Sequence, residues 1–439
     1  MNQTVVRIIF WGRPKGRPKW PSIDFDPEKR AVEILKILKG NLPGFKFVGG
    51  DLVRNSEEAE ELLKVIGEEG EICSVIFNLS SGWHDSLKVM EKLPTVVVCD
   101  PFLWGYAGMI VHSANLRKRD VRGFIVSSSS WDDVFKAFKV IKAYDSLRNT
   151  KILVIGNHVL SADREVYEEA IKRIGGKIKF IGFGELREAF QKTDVQKAER
   201  IADDLIAKAN KVIEPSRKEI IKSIRLYYAL RNLCSKYGAN GVTVDCLGGF
   251  YGGELPAYPC IAFALLDGEG KVMAACECDV DSLLTKIAMK EIAERPGFIS
   301  EPAIDSSRNV AIYAHCVSST RMNGFSKPPE KYWIRSHAED NRGACLQVLF
   351  KGGTPVTVAK LLPVEKRILL LKGELLGHEE TDGGCRNKAV VKVADAQMLI
   401  DEWQHNWHRA LFYGDWTREI KWLARLMGFS VYMEPGGCA

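Results

Sequence analysis

Two carboxylates and two imidazoles have the chemical types and the surroundings that a metal site requires. Glu277 stands between two cysteines directly after an apolar run, and Glu301 follows in a Ser-Glu-Pro segment. His315 ends another apolar run, and His408 lies much further along the chain beside a tryptophan. Carboxylate and imidazole ligands that leave positions open to water and substrate suit Mn²⁺ or a similar divalent ion. Each residue alone is more readily explained as a surface glutamate or a hydrogen-bonded core histidine, so residue types and spacing leave the site open.

The element that must position Glu277 is a buried strand. Residues 272–277 form a short apolar run that leads into a helix predicted over residues 281–294. Open α/β sheets bind ligands at the carboxyl ends of their strands, which is where this pattern places the carboxylate. Asp279 is predicted to cap the following helix, and Glu301 is predicted to lie in a loop after it.

A second strand-to-turn segment, residues 151–156, resembles the start of a nucleotide-binding unit. Gly156 ends the apolar run, but Asn157 and His158 follow it, and the second and third glycines of the dinucleotide fingerprint are missing. No Walker sequence occurs either. The pattern therefore favours parallel-sheet units that act as scaffold or as walls of a sugar site rather than as a nicotinamide site.

Strands and helices alternate before Asn309. Continuous apolar strands between helices are typical of parallel sheets covered on both faces. Strands are predicted at residues 5–11, 74–79, 95–99, 151–156, 177–181, 241–246 and 272–277, and helices at residues 27–38, 57–66, 132–144, 164–174, 194–237 with a break near Pro215, 259–266 and 281–294. Turns are predicted in the glycine-rich segment after Cys246 and over residues 267–270.

After Asn309 short strands follow one another with almost no helix. They are predicted at residues 310–315, 344–350, 354–361, 366–372 and 388–393, before a helix at 417–427 and a strand at 430–433. Such a series, interrupted by Gly and Pro, indicates a barrel or a sandwich. The predicted fold class is α/β. Two parallel-sheet domains, residues 1–149 and 150–308, are predicted to precede a mostly β domain, residues 309–439.

Composition and charge exclude several classes of protein. The 439 residues are 46% hydrophobic and 27% charged, which is ordinary for a globular protein and excludes a mainly disordered chain. The net charge is only +6 and no block of about five like charges occurs, so no nucleic-acid partner is expected. No apolar stretch reaches the about 18 residues of a membrane span. With no secretory signal pattern and eleven scattered cysteines, we expect a cytoplasmic protein without a membrane partner.

Residues 259–315 and the C-terminal tail resemble the fucose isomerase and arabinose isomerase superfamily. The resembling residues in the first segment are Pro259-Cys260, Leu265-Leu266, the Cys276-Glu277-Cys278-Asp279 turn with its following helix, Glu301-Pro302 and Ala314-His315-Cys316. The tail contributes Trp407-His408-Arg409-Ala410-Leu411-Phe412-Tyr413-Gly414-Asp415. The rest of the chain resembles the family in its layout alone.

The resemblance implies an aldose–ketose isomerase that binds Mn²⁺ or a similar divalent metal. Matched motif by motif, the metal ligands fall on Glu277, Glu301 and His408, with His315 as the additional histidine of the arabinose type. Glu277 and Glu301 are also the implied catalytic residues. The same resemblance implies two Rossmann-like domains followed by a C-terminal barrel.

Two departures from the family pattern leave alternatives open. Fucose-type enzymes carry an aspartate where this chain has Glu301, so Asp305 is an alternative second carboxylate. The tail lacks the paired histidines that are often found there, so His405 is an alternative to His408.

The implied reaction moves a sugar carbonyl between C1 and C2 through an enediolate. One carboxylate takes a proton from carbon while a second shuttles the hydroxyl proton, and a bound metal stabilises the developing anion. The expected substrate is a small sugar similar to fucose or arabinose. Two alternatives remain open: a sugar enzyme of the same scaffold that cleaves or transfers carbon–carbon bonds, and a sugar-binding protein built from paired Rossmann-like domains.

The resemblance also implies a homo-oligomer, a trimer or hexamer, in which the first domain of one subunit covers the site of its neighbour. Trp83 and His84 follow a predicted strand end in that domain, where loops often hold ligands. Trp83 is a candidate to stack on sugar, although ordinary surface packing explains it equally well. A further candidate for substrate contact is His337, in a segment with Trp333 and Arg335.

Overall fold

The structure is a computed structural model, which describes residues 3–79, 86–101 and 106–437. Trp83 and His84, the candidates for sugar contact in the first predicted domain, lie outside these ranges. The association into a trimer or hexamer stays a prediction. Among the described residues, no helix is both long and apolar enough to cross a membrane.

The chain divides into two compact units. The first unit is Met1–Asp145 with Glu419–Phe429, and the second is Ser146–Arg418 with Ser430–Ala439. The predicted fold class is confirmed, since the units contain two parallel sheets and a closed antiparallel barrel. The division into three domains at residues 149 and 308 stays a prediction.

The first unit is built on a five-stranded parallel sheet. Its elements are β1 (Thr4–Trp11), α1 (Pro27–Asn41), β2 (Phe45–Val53), α2 (Ser56–Val65), β3 (Cys73–Asn78), α3 (Ser86–Lys92), β4 (Thr95–Cys99), α4 (Tyr106–Lys118), β5 (Gly123–Ser127) and α5 (Trp131–Arg148). The strand order is β2-β1-β3-β4-β5. Trp422, which returns to this unit from the C-terminal part of the chain, stacks on Phe124 with the ring centroids 4.7 Å apart.

Helix α1 shows how local sequence specifies these elements. The side chain of Asp26 accepts a hydrogen bond from the Lys29 backbone N–H, and a proline occupies the first turn. Ala31, Ile34 and Leu38 are buried and follow helical spacing, so they form one apolar face. Helix α2 shows the same combination of a side-chain cap and a buried apolar face.

The second unit begins with a four-stranded parallel sheet of order β10-β9-β6-β7. Its elements are β6 (Lys151–Ile155), α6 (Arg164–Arg173), β7 (Lys177–Ile181), α7 (Phe183–Gln191), α8 (Val195–Lys208), β8 (Lys211–Val212), α9 (Arg217–Tyr237), β9 (Gly241–Val244), α10 (Cys246–Tyr251), α11 (Cys260–Glu269), β10 (Met273–Cys276) and α12 (Val280–Ala293). The apolar side chains of the strands pack with those of α9 and α11 in one buried core.

Six antiparallel strands of the second unit close into a barrel. The remaining elements are β11 (Phe298–Asp305), β12 (Val310–His315), β13 (Tyr332–Arg335), β14 (Cys345–Val348), β15 (Thr354–Leu362), β16 (Arg367–His378), β17 (Asn387–Lys392), α13 (Ala396–Asp401), β18 (Arg409–Tyr413), α14 (Thr417–Met427) and β19 (Ser430–Met433). The barrel order is β15-β18-β11-β12-β17-β16, and β15 pairs with β16 to close it. Alternate residues such as Val356 and Val358 face its apolar core. Strand β19 pairs in parallel with β16, while β14, β13 and β8 form a small separate sheet.

The predicted loop around Glu301 is wrong, because this segment lies within strand β11. Glu301 pairs with Ala314 of β12, and Ser300 pairs with Arg409 of β18. Neighbouring strands on both sides therefore impose an extended conformation on a Ser-Glu-Pro segment that has the local composition of a turn.

Two predicted turns are helical. The glycine-rich segment after Cys246 forms α10, because Asp245 caps it by accepting a hydrogen bond from the Gly248 backbone N–H. Most of the predicted turn at residues 267–270 forms the end of α11, which stops at Gly270 with φ of 70°. Asp267 in this last turn is buried against Lys286, a tertiary contact that the local polarity does not reveal.

Candidate metal centre

Three elements of the second unit bring candidate ligands together. Glu277 directly follows β10, His315 is the last residue of β12, and His408 directly precedes β18. Strands β12 and β18 both neighbour β11 in the barrel. The two histidines therefore come from the strands on either side of β11, and their ring centroids lie 5.3 Å apart.

Glu277, His315 and His408 form a group with the spacing of a metal site. One ligand atom from each lies within 4.8 Å of the other two. Glu277 Oε1 is 3.6 Å from His315 Nε2, and Glu277 Oε2 is 3.8 Å from His408 Nε2. These distances exceed hydrogen-bond length and leave room for an ion at about 2.0–2.2 Å from each ligand atom.

The His408 ring provides a second indication of a bound ion. The side chain is fully buried, and its Nε2 atom has no hydrogen-bond partner among the described residues. Buried polar atoms are nearly always paired, so an unpaired one requires an explanation. A metal ion held between this nitrogen and Glu277 supplies that explanation, and the group therefore fits a divalent cation.

The backbone at Glu277 is held in an uncommon conformation. Glu277 has φ of 58° and Cys278 has φ of 54°, in the left-handed region that side chains other than glycine rarely adopt. Such residues each cost about 1–3 kcal/mol and cluster at functional sites. A hydrogen bond from the Cys278 N–H to the Val244 carbonyl holds the turn at 3.2 Å.

Gly156 has a packing role at this turn. It has φ of 145°, and a Cβ atom there would lie 2.9 Å from Asp245 Cβ and 3.3 Å from Cys278 Sγ. A glycine is needed because Asp245, and to a lesser extent the Glu277 turn, passes close to the end of β6. This explains a strand-to-glycine motif that lacks the rest of a nucleotide fingerprint.

Glu277 and His315 each favour the charged form of the other. Burial opposes ionisation of Glu277, but the rings of His315 and His408 hold the pKa of its carboxyl below the usual value. Burial also opposes protonation of His315, yet Glu277 raises the pKa of that imidazole above its usual value. The site therefore favours positive charge beside Glu277, which a divalent cation supplies by displacing the imidazole proton.

Asp279 contacts the group through the Nδ1 atom of His408. The predicted cap is confirmed, because Asp279 accepts a hydrogen bond from the Ser282 backbone N–H at 2.9 Å. The same buried carboxylate lies 3.0 Å from His408 Nδ1 and 2.7 Å from Lys360 Nζ. Neither contact has a signal in the sequence, because all three residues come from distant segments.

Glu301 lines the same cavity without joining the three-residue group. It lies on β11, and its Oε1 atom is 3.9 Å from the Cys385 Sγ. Asp305, the alternative carboxylate, lies at the C-terminal end of β11 and accepts hydrogen bonds from the Ser307 N–H and hydroxyl. The structure therefore places Glu301 at the cavity and Asp305 in a polar turn.

His405, the alternative tail histidine, lies outside the group. Its Nε2 is 3.1 Å from the buried Asp281, which also accepts a hydrogen bond from Tyr167 at 2.7 Å. Its other ring nitrogen lies 3.6 Å from Glu365. The structure brings His408, not His405, beside Glu277.

A small cavity of about 170 Å³ adjoins the group. Its lining comprises three carboxylates (Glu277, Glu301, Glu339), two histidines (His315, His337), the rings of Phe250 and Trp407, five thiols (Cys246, Cys260, Cys276, Cys316, Cys385), and Leu247 and Pro259. His337 lines the cavity, whereas Arg335 is held by an ion pair with Glu214. A substrate contact by His337 stays a prediction. The sequence gives no signal that Glu339, Phe250 or the thiols line this cavity, since neither charge nor spacing marks them.

Comparison with known proteins assigns no family. The resemblance to sugar isomerases rests on the motifs around Glu277, Glu301, His315 and His408, and it stays a prediction. The sequence matches no protein-family model and no curated protein.

Proposed function

We propose that the chain is a metal-dependent aldose–ketose isomerase of the fucose isomerase and arabinose isomerase superfamily. The observation that carries the proposal is the buried Glu277–His315–His408 group next to a cavity that holds a further carboxylate, Glu301. A site of this kind combines a cation with a free base, which are the two requirements for moving a carbonyl between adjacent carbons.

The proposed metal is Mn²⁺ or a similar divalent ion. The ligand set combines carboxylate oxygen with imidazole nitrogen, and a sugar would add hydroxyl and carbonyl oxygens, which suit Mn²⁺. A divalent ion held by Glu277, His315 and His408 would supply a Lewis acid that stabilises negative charge on two adjacent sugar oxygens.

The two glutamates have different roles in this proposal. Glu277 is held in its ionised form between two imidazoles, so it binds the cation. Glu301 lies on the cavity wall outside that group, so its carboxylate is available to the substrate. It removes the proton from the carbon that carries the hydroxyl group and delivers it to the former carbonyl carbon, while the proton of that hydroxyl group passes to the former carbonyl oxygen.

The lining supports an uncharged monosaccharide as substrate. It contains three carboxylates, and none of its described residues is a lysine or an arginine that could pair with a phosphate or carboxylate of the ligand. The volume of about 170 Å³ is below the roughly 300–1,000 Å³ of pockets for drug-sized ligands. The rings of Phe250 and Trp407 offer apolar faces for the carbon skeleton of a sugar.

The experiment is product analysis on Mn²⁺-loaded protein with a panel of pentoses, hexoses and 6-deoxyhexoses, and with their phosphates. We expect conversion of a free aldose to the ketose of equal mass, abolished by chelation, with no turnover of the phosphates. Glu301→Gln should lower the rate by about 10²–10⁴, whereas Asp305→Asn on the same strand should leave it unchanged. Products of lower mass would indicate carbon–carbon cleavage, and binding without any product would indicate a sugar-binding protein; either result contradicts the proposal.

A further inference from the structure

Asp279 and Lys360 form a buried ion pair beside the metal group, which consists of Glu277, His315 and His408. Asp279 Oδ2 accepts hydrogen bonds from Lys360 Nζ at 2.7 Å and from the Ser282 hydroxyl at 2.8 Å, and it lies 3.0 Å from His408 Nδ1. The side chains of Asp279, Lys360 and His408 have no exposed surface. Lys360 comes from β15 and Asp279 from the turn after β10, so the pair connects the barrel with the parallel sheet.

We infer that Asp279, oriented by Lys360, is a positioning residue that keeps His408 in the tautomer with the proton on Nδ1 and its Nε2 lone pair directed at the metal ion. The inference depends on metal binding by the group but not on the sugar reaction.

The direction of the hydrogen bond follows from the partners. The Asp279 carboxylate is ionised in its pair with Lys360 and carries no proton, so it can only accept and His408 Nδ1 must donate. A neutral imidazole has one N–H, and its other nitrogen then carries a lone pair. That nitrogen, Nε2, is the buried atom without a hydrogen-bond partner among the described residues, 3.8 Å from Glu277 Oε2.

The chain contains a matched comparison for this role. Asp267 and Lys286 form a second buried ion pair at 2.5 Å, with side chains 1% and 0% exposed. Their other partners are the backbone N–H and carbonyl of Ala274. This pair resembles Asp279–Lys360 in burial and charge, but it contacts no member of the metal group.

The test compares Asp279→Asn with Asp267→Asn. Asparagine keeps the helix cap, but it has one oxygen for the several donors around Asp279, so His408 loses its fixed acceptor. Titration calorimetry with Mn²⁺ on metal-free protein should show a dissociation constant raised about 10–100-fold for Asp279→Asn and unchanged for Asp267→Asn. Circular dichroism verifies that each variant is folded.

A second measurement needs no variant. Nitrogen NMR of histidine-labelled, metal-free protein should show His408 with hydrogen on Nδ1 and a bare Nε2, with the resonance assigned by its loss in His408→Gln. The inference is overturned if the proton resides on Nε2, if Asp279→Asn binds Mn²⁺ as tightly as the unaltered protein, or if both aspartate variants lose affinity equally. An unaltered protein that binds Mn²⁺ and shows this tautomer yet isomerises no sugar would refute the proposed function and leave this inference standing.

Discussion

Glu277 Oε1 lies 3.6 Å from His315 Nε2, although one residue follows a strand of the parallel sheet and the other ends a strand of the barrel. The metal group therefore forms only where these two parts of the second unit pack together. A backbone hydrogen bond from Leu361 of β15 to the Thr285 hydroxyl of α12, at 2.8 Å, belongs to the same packing. Substitutions that loosen this contact should weaken metal binding without touching a ligand.

Removing the metal should destabilise the second unit. A ligand that binds only the folded state adds about 2.7 kcal/mol to the free energy of unfolding at 100 times its dissociation constant. We expect chelation to lower the melting temperature and Mn²⁺ to restore it, as measured by calorimetry alongside elemental analysis. The Glu277→Gln variant serves as control and should show no Mn²⁺-dependent shift. A melting temperature that is insensitive to both treatments would exclude a metal site.

Replacing Glu277 with glutamine should abolish metal binding and turnover while the fold is retained. The amide is a much weaker ligand for a divalent cation, and it has no charge to attract the two imidazoles. The measurements are Mn²⁺ titration, sugar turnover and circular dichroism. Glu254→Gln is the control, because Glu254 forms an exposed ion pair with Arg187 and its loss should change neither binding nor rate. Normal turnover in Glu277→Gln would require another set of ligands.

Replacing Glu301 and replacing Asp305, the two carboxylates of β11, should have different effects on turnover. Glu301→Gln should reduce turnover by about 10²–10⁴ while Mn²⁺ still binds, because Glu301 lies outside the three-residue group. Asp305→Asn should change only the local hydrogen bonds to Ser307. Steady-state rates and Mn²⁺ titrations of both variants decide the point. If Asp305→Asn is the inactive variant, the assignment of the second carboxylate is reversed.

The two tail histidines should separate in the same way. His408→Ala removes a member of the metal group, so Mn²⁺ affinity should be lost. His405→Ala removes the contact with Asp281 and should lower the free energy of unfolding by about 1 kcal/mol with Mn²⁺ affinity unchanged. Denaturant unfolding and Mn²⁺ titration measure the two effects. Loss of metal from His405→Ala alone would contradict the geometry.

The Arg7–Glu71 pair should make the stability of the first unit depend on pH. Glu71 accepts hydrogen bonds from Arg7 Nε at 2.6 Å and from the Gly67 N–H at 2.8 Å. Burial opposes ionisation of Glu71, but these donors hold the pKa of its carboxyl below the usual value. Because the pKa of Glu71 is lower in the folded state than the unfolded value of about 4.3, its ionised carboxyl stabilises the fold at pH values above about 4.3. This stabilisation is lost as the pH falls through the pKa of the folded state.

Glu71→Gln therefore should lower the free energy of unfolding by about 3–5 kcal/mol at pH 7, because the buried Arg7 loses its buried carboxylate partner and keeps only the Val65 carbonyl and the exposed Glu69. The difference from the unaltered protein should shrink below about pH 4. Urea unfolding followed across pH measures both. Glu33→Gln, which breaks the exposed Arg30 pair, should cost at most about 1 kcal/mol. Equal losses in the two variants would contradict the buried pair.

The alternation of apolar strands with helices was sufficient to predict the parallel sheets, and the change of pattern after Asn309 predicted a barrel or a sandwich. The parallel sheets are predictable because a strand buried on two faces must be apolar along its length, whichever neighbours it has. The β domain is predictable because its short strands follow one another with almost no helix between them. The segment around Glu301 has the local composition of a loop, and its pairing with β18 joins residues that are far apart in sequence. Composition reports burial and local turn preference, whereas register depends on residues that come together only on folding.

The candidate site is likewise predictable from the sequence in part, and decided by the tertiary structure in part. Residue types and motifs were enough to nominate Glu277, Glu301, His315 and His408, and to predict Asp279 as a helix cap. The packing of the barrel against the parallel sheet selects the three residues that can share one ion and sets Glu301 apart on the cavity wall. The same packing places Asp279 against His408 and Lys360. Distances of a few ångströms between side chains from remote segments are set by strand closure and packing, and no local pattern in the chain encodes them.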